Sequence, residues 1–338
     1  MRRMTSQRSE AVTRVHTVLA VLAIVACSGP GVVAPDAPTD PVGAVFVTSD
    51  IPRFWAAYDA GSTASAFQAL YLDGASAGLA DFVGLRNVTG ASLASMVRAY
   101  PRYFADIRAN TMRLAGDAPL QARIREGYRR IEDLYTAAVF PPITFLIGRF
   151  STGGTTSRNG LLIGLEFYSL GVSTPREELT AFHLDNVRSL DGLPTSVAHE
   201  HTHILQARAG GVMTHSNKTL LEQSLMEGGA DFIGELASGG NINARLCGYA
   251  IPREAALWTE FRAAMNGTDV SRWLYNQGGA SHGGAAGDRP GDLGYFIGYR
   301  IAEAYYTRTA DKRAAVRGII EMRDAAQFLA ASGYAPAP

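Results

Sequence analysis

The stretch Thr195-Ser196-Val197-Ala198-His199-Glu200-His201-Thr202-His203 contains the pattern His-Glu-x-x-His and constrains this chain more than any other segment. On a helix, residues four apart lie on one face, so His199 and His203 can bind one metal ion. Glu200 then lies beside the ion, where it can act on a metal-bound water. Pro194 and Thr195 are typical of a helix start, so the pattern predicts a zinc-binding helix.

This pattern is short, and a chance match on a His-rich surface helix is the alternative. His201 does not help to decide between the two readings. It lies about 200° round the helix from His199, so the two imidazoles cannot share a metal ion.

A second acidic segment, Glu227-Gly228-Gly229-Ala230-Asp231, begins 24 residues after His203. Two histidines and a glutamate form a known catalytic zinc set, so Glu227 is the expected third ligand. Asp231 lies one turn further on, where it can accept the second N–H of a ligand histidine. The two glycines cost a helix about 1 kcal/mol each, which makes sense if backbones pack closely there. The alternative is an acidic surface pair on a mobile helix start.

The combination His199-Glu200-x-x-His203 and Glu227-Gly-x-Ala-Asp231 resembles the gluzincin metallopeptidases. More closely, it resembles a bacterial family of zinc-dependent proteases long filed as a domain of unknown function, with the gliding-motility lipoproteins as distant relatives. The similarity extends over roughly residues 45–330. It includes the segments Phe54-Trp55-x-x-Tyr58-Asp59, Tyr71-Leu72-Asp73-Gly74-x-Ser76-x-Gly78-Leu79, Ile147-Gly148-Arg149-Phe150, Gly153-Gly154-Thr155 and Gly294-Tyr295-Phe296-Ile297-Gly298-Tyr299.

The resemblance implies a mainly helical α+β fold, a gluzincin-like domain with a small sheet beside the His-Glu-x-x-His helix. It further implies that a strand at 161–168 forms an open sheet edge that binds substrate backbone. It favours Tyr295 as the group that stabilises the oxyanion, with Tyr299 and His282 as the other candidates. Residues 151–160 are expected to form a hairpin-like connection before that strand.

Composition narrows the possible partners. The chain has 31 basic and 31 acidic residues, so its formal charge is zero and nucleic acid is not an expected partner. Hydrophobic residues make up 47% and charged residues 18% of its 338 positions, as in a globular protein with a sizeable core. A peptide or protein substrate is the expected partner.

The first residues have the features of an export signal. Arg2, Arg3, Arg8 and Arg14 precede a short apolar run that ends in Leu22-Ala23-Ile24-Val25-Ala26-Cys27. This ending resembles a bacterial lipobox, which implies cleavage before Cys27 and lipidation of its thiol. An ordinary signal peptide cut nearby is the alternative.

The expected organisation is therefore a lipoprotein signal peptide at 1–26, a flexible tether at 27–44 and a zinc metallopeptidase-like domain at 45–335. The protein would be an exported bacterial lipoprotein of the cell envelope, anchored either to the outer membrane or to the outer face of the cytoplasmic membrane. Cys247 is the only other cysteine, so no intrachain disulfide is expected.

These observations predict one zinc ion per chain, bound by His199, His203 and Glu227, with Glu200 as general base for peptide hydrolysis. The competing hypothesis is a non-catalytic zinc-binding envelope lipoprotein that acts in assembly or binding. An altered Glu200 would have favoured that hypothesis, and Glu200 is present.

Overall fold

The computed structural model describes residues 37–276 and 289–336. The predicted signal peptide (1–26), Cys27, the first part of the tether and His282 lie outside the described residues. Within those residues, no helix is both long enough and apolar enough to span a bilayer. The strands are β1 (Phe46–Val47), β2 (Ile143–Leu146), β3 (Gly154–Ser157) and β4 (Gly160–Gly164).

Helices make up 62% of the structure, which confirms the mainly helical α+β fold class with a small mixed sheet. The helices are α1 (Asp50–Asp59), α2 (Ala64–Phe67), α3 (Ala77–Arg86), α4 (Gly90–Ala99), α5 (Pro101–Arg113), α6 (Ala118–Leu134), α7 (Ala181–Asn186), α8 (Leu193–Ala209), α9 (Leu220–Ser238), α10 (Cys247–Ala250), α11 (Glu254–Ala264), α12 (Leu293–Arg308), α13 (Lys312–Ile320) and α14 (Ala325–Ser332).

The sheet has the order β1-β2-β4-β3, in which β1, β2 and β4 run parallel and β3 is antiparallel to β4. Every residue of β2 and β4 is buried, as expected of short apolar strands covered on both faces. The strand expected at 161–168 is shorter and interior. It ends at Gly164, and Leu165–Phe167 form a 3-10 turn.

The sheet edge beside α8 is therefore β3, which lies inside the segment expected to be only a connection. The earlier expectation that residues 161–168 form an open edge is wrong. Strand β4 already has a hydrogen-bonded neighbour on each side, so it has no free backbone groups to offer.

Helix α8 carries the His-Glu-x-x-His pattern and is surrounded by α6, α9, α13, β3 and β4. Pro194 lies in its first turn, where the missing N–H costs nothing. Gly210 and Gly211 end it with φ values of 78° and 68°, which side chains rarely adopt. Because His199 through Gln206 are all buried, the alternative of a His-rich surface helix is wrong.

Helix α9 carries Glu227 and Asp231 near its middle and packs closely on α8 and α12. A capping box formed by Thr219 and Glu222 fixes its start. Glu227 has no solvent exposure and Asp231 has only 2%, so the alternative of an acidic surface pair on a mobile helix start is wrong.

Candidate metal centre

Three ligand atoms meet at one buried point between α8 and α9. His203 Nε2 lies 3.2 Å from His199 Nε2 and 3.2 Å from Glu227 Oε2, and His199 Nε2 lies 3.6 Å from Glu227 Oε2. Ligands of a tetrahedral zinc ion at about 2.0–2.1 Å are separated from one another by about 3.3 Å. The triangle therefore has the size that a zinc ion requires, and the three residues could hold a metal ion.

Both imidazole rings are oriented by contacts at their far nitrogens. His199 Nδ1 lies 2.7 Å from Asp231 Oδ1, and His203 Nδ1 lies 2.8 Å from Gln206 Oε1. Gln206 Nε2 donates to the carbonyl of Met226, which identifies Oε1 as the acceptor end of that amide. In the neutral form that binds a metal ion, each imidazole therefore carries its proton on Nδ1, and Nε2 presents a lone pair to the shared point.

Further contacts hold the two carboxylates of the centre. Asn243 Nδ2 donates to Asp231 Oδ2 at 2.8 Å, and Tyr275 OH donates to Glu227 Oε1 at 2.8 Å. Glu227 is thus left with Oε2 directed at the histidines. Neither Asn243 nor Tyr275 was identified from the sequence, since neither belongs to a motif or lies at a fixed spacing from one.

The charges of the centre favour a cation. Burial alone would lower the pKa of His199, but the hydrogen bonds to Asp231 and Glu227 raise it to about 10. Burial opposes a charge on His203 in the same way, yet interaction with Glu227 raises its pKa to about 9. Burial would raise the pKa of Glu227, and the two histidines hold it well below its usual range. Positive charge is therefore stabilised where the three ligand atoms meet.

Glu200 lies next to the triangle and does not take part in it. It is 8% exposed, and its Oε2 has no hydrogen-bond partner among the described residues. Burial raises the pKa of its carboxyl, although the two histidines act in the opposite direction. A buried carboxylate is suited to accept a proton when its pKa is raised and one of its oxygens has no hydrogen-bond partner.

Gly154 at the start of β3 provides the space for that carboxylate. A Cβ atom at this position would lie 2.6 Å from Glu200 Oε1, closer than real Cβ contacts. Gly153 is similarly close to the hydroxyl of Tyr168. Both glycines line a cleft together with His199 and Glu200, so larger side chains here would displace Glu200 or Tyr168.

The three residues expected as oxyanion stabilisers are placed differently. Tyr295 lines the cleft, and its ring centroid lies 6.4 Å from that of His199. Tyr299 packs on Phe232 with the centroids 5.6 Å apart, outside the residues that line the cleft. His282 lies outside the described residues. The remaining cleft residues are Gly153, Gly154, Phe167, Tyr168, Asn186, Arg188, Ser196, His199, Glu200, Ile242 and Asn243.

His201 points away from the centre into the core. Its ring stacks on Phe140 at 5.2 Å and lies 4.5 Å from the ring of Tyr128. Neither ring nitrogen has a hydrogen-bond partner among the described residues. Burial therefore lowers the pKa of His201 to about 3. The ring acts as a neutral aromatic group in the core.

This burial predicts an acid-sensitive contribution to stability. An unfolded histidine titrates near pH 6.5, so between about pH 6.5 and 3 the unfolded chain binds a proton that the folded chain rejects. The free energy of unfolding should fall across this window by up to about 5 kcal/mol through His201. In His201→Phe this contribution should disappear. Urea unfolding of both proteins with a chelator present, from pH 7 to 4, measures the difference, and parallel curves would contradict the assignment.

Comparison with known protein families gives a match over part of the chain. Residues 159–321 match the model of a family described as predicted Zn-dependent protease (DUF2268). No curated protein matches the chain, and no solved structure does. The matched segment runs from β4 to the end of α13 and includes His199, Glu200, His203 and Glu227. The resemblance found in the sequence is confirmed: the segment 159–321, which carries the candidate metal centre on α8 and α9, matches this family of predicted Zn-dependent proteases.

Proposed function

We propose that the protein is a zinc-dependent peptidase that hydrolyses peptide bonds. The observation that carries the proposal is the buried triangle of His199, His203 and Glu227, of which His199 also lines a cleft together with Glu200. A zinc ion held by the triangle would supply an acidified water and polarise the scissile carbonyl. A catalytic zinc site differs from a structural one in keeping one coordination position open, and a cleft next to the ligands is where substrate would reach that position.

Each residue of the centre then has a separate role. His199, His203 and Glu227 hold one zinc ion per chain, while Asp231 and Gln206 fix the two rings. Glu200 takes the proton of the attacking water and delivers it to the leaving amine, since it lines the same cleft as His199 and its Oε2 has no other partner among the described residues. Tyr295, which lines the same cleft, is the proposed donor to the oxyanion.

The substrate backbone is proposed to run along β3. This strand is the edge of the sheet on the side of α8, and Gly153 and Gly154 at its start border the cleft. An extended peptide can pair with an open strand edge, where the backbone supplies affinity and side-chain pockets supply specificity.

Metal removal tests the proposal directly. The purified chain should contain about one zinc ion and should cleave members of a peptide library. Dialysis against a chelator should remove the zinc and abolish cleavage, because without the ion nothing acidifies the attacking water or polarises the carbonyl. Added zinc should restore them together. Zinc retained without hydrolysis of any peptide would favour the non-catalytic envelope lipoprotein instead.

Anchoring through Cys27 is a separate proposal that rests on the sequence around it. Cys27→Ala should remove the lipidated thiol, so the chain should leave the membrane fraction or stay unprocessed. Fractionation of cells that express each form measures this result, with Cys247→Ala as the matched control because that thiol lies in the folded part. A Cys27→Ala protein that is processed at the normal site and remains in the membrane would contradict the anchor.

A further inference from the structure

The cleft beside the metal centre contains one permanent positive charge among its described lining residues, the guanidinium of Arg188. The histidine and the carboxylate that line the cleft already have roles: His199 belongs to the triangle and Glu200 lies beside it. A full charge within a substrate cleft is costly unless it meets an opposite charge. Arg188 therefore has the chemistry to recognise an anionic group on a bound molecule.

The backbone at Arg188 is held in a fixed position. Its N–H donates to the carbonyl of Phe167 at 2.6 Å, and its carbonyl accepts from Leu170 N at 3.0 Å. These two bonds tie the segment after α7 to the chain that leaves β4. The guanidinium is thus carried by an anchored segment, which limits the entropy lost when a ligand is bound.

The guanidinium is only partly satisfied by the protein. Its Nη1 donates to the carbonyl of Val187 at 2.9 Å. Within the described ranges, no carboxylate forms an ion pair with it, although Asp185 attracts it at longer range. Burial lowers the pKa of Arg188 and the nearby Arg245 lowers it further. Arg245, in contrast, is paired with Asp292 at 3.2 Å.

We propose that Arg188 binds a carboxylate of the substrate and so selects peptides that carry either a free C-terminus or an acidic side chain next to the cleaved bond. This inference rests on the proposed peptidase function and adds the chemical class of its substrate. A planar guanidinium can meet a carboxylate with two parallel hydrogen bonds, which a neutral residue cannot provide.

Binding measurements test the inference without requiring turnover. The zinc-loaded full chain with Glu200→Gln would be titrated calorimetrically with two peptide pairs. The first pair is acetyl-Ala-Phe and its C-terminal amide, and the second is acetyl-Ala-Glu-Ala-amide and its Gln counterpart. In at least one of the two pairs, the peptide with the carboxylate should bind at least about tenfold more tightly than its amide counterpart. The pair that shows the preference identifies whether the carboxylate is terminal or on a side chain.

Arg188→Gln in the same background should reduce that preference to about onefold, and Arg188→Lys should retain part of it. Arg176→Gln is the matched control, since it removes the same charge from an exposed position outside the cleft lining. If the preference for the carboxylate survives Arg188→Gln, the metal ion and not Arg188 causes it, and the inference is overturned. Equal binding of acid and amide in both pairs, or no binding of any of the four peptides, would overturn it too. Cleavage of other peptides by the wild type would still leave the peptidase function standing.

Discussion

Glu200→Gln should retain about one zinc ion per chain while its peptide hydrolysis falls by roughly 100-fold or more. Glutamine preserves the size of the side chain and fits the space that Gly154 leaves, but it cannot accept a proton. Glu200 takes no part in the ligand triangle, so zinc binding does not depend on its charge. Zinc content by elemental analysis and hydrolysis of one peptide would be measured on the same preparation.

Glu227→Ala, in contrast to Glu200→Gln, should lose the zinc ion itself. Its removal leaves two ligand atoms, the Nε2 atoms of His199 and His203, for an ion that needs three from the protein. Glu126→Gln is the control, because Glu126 is about half exposed and forms surface pairs alone. Equal zinc loss in the Glu200 and Glu227 variants would show that the two residues do not have separate roles.

The centre could be predicted from the sequence where helical geometry alone fixes it. Residues four apart share a face, so the pairs His199 with His203 and Glu227 with Asp231 were expected on common faces, as the structure has them. Asn243 and Tyr275 could not be predicted, because they reach the centre through tertiary packing, and Tyr275 lies 48 residues along the chain from the carboxylate it contacts. Gln206 lies three residues after His203 on the same helix, so helical spacing permits its contact, although no motif marks it.

The same distinction explains the error in the sheet. The sequence Gly154-Thr-Thr-Ser157 has no alternation of apolar and polar residues. The pattern of these residues therefore does not predict a strand that pairs with β4. The burial of His201 depends on Tyr128 and Phe140, which are distant in sequence.

The glycine pair after Glu227 was expected to permit close packing, and Gly228 does so. A Cβ atom on Gly228 would overlap the backbone of α12 at Gly298 and Tyr299. A Cβ atom on Gly298 would in turn overlap the backbone of Ser224 on α9. Since α9 carries Glu227 and α12 carries Tyr295, this close contact sets the distance between the ligand and the cleft wall.

Gly228→Ala should therefore lower the free energy of unfolding by about 3 kcal/mol or more, since backbone atoms cannot move aside as a flexible side chain can. Gly84→Ala is the matched control. It lies in α3 with open space around its Cβ position, so alanine there should stabilise by up to about 1 kcal/mol. Urea unfolding of both variants measures the difference, and zinc content should fall only in Gly228→Ala. If Gly228→Ala were as stable as Gly84→Ala, the helices would not need the glycine to approach each other.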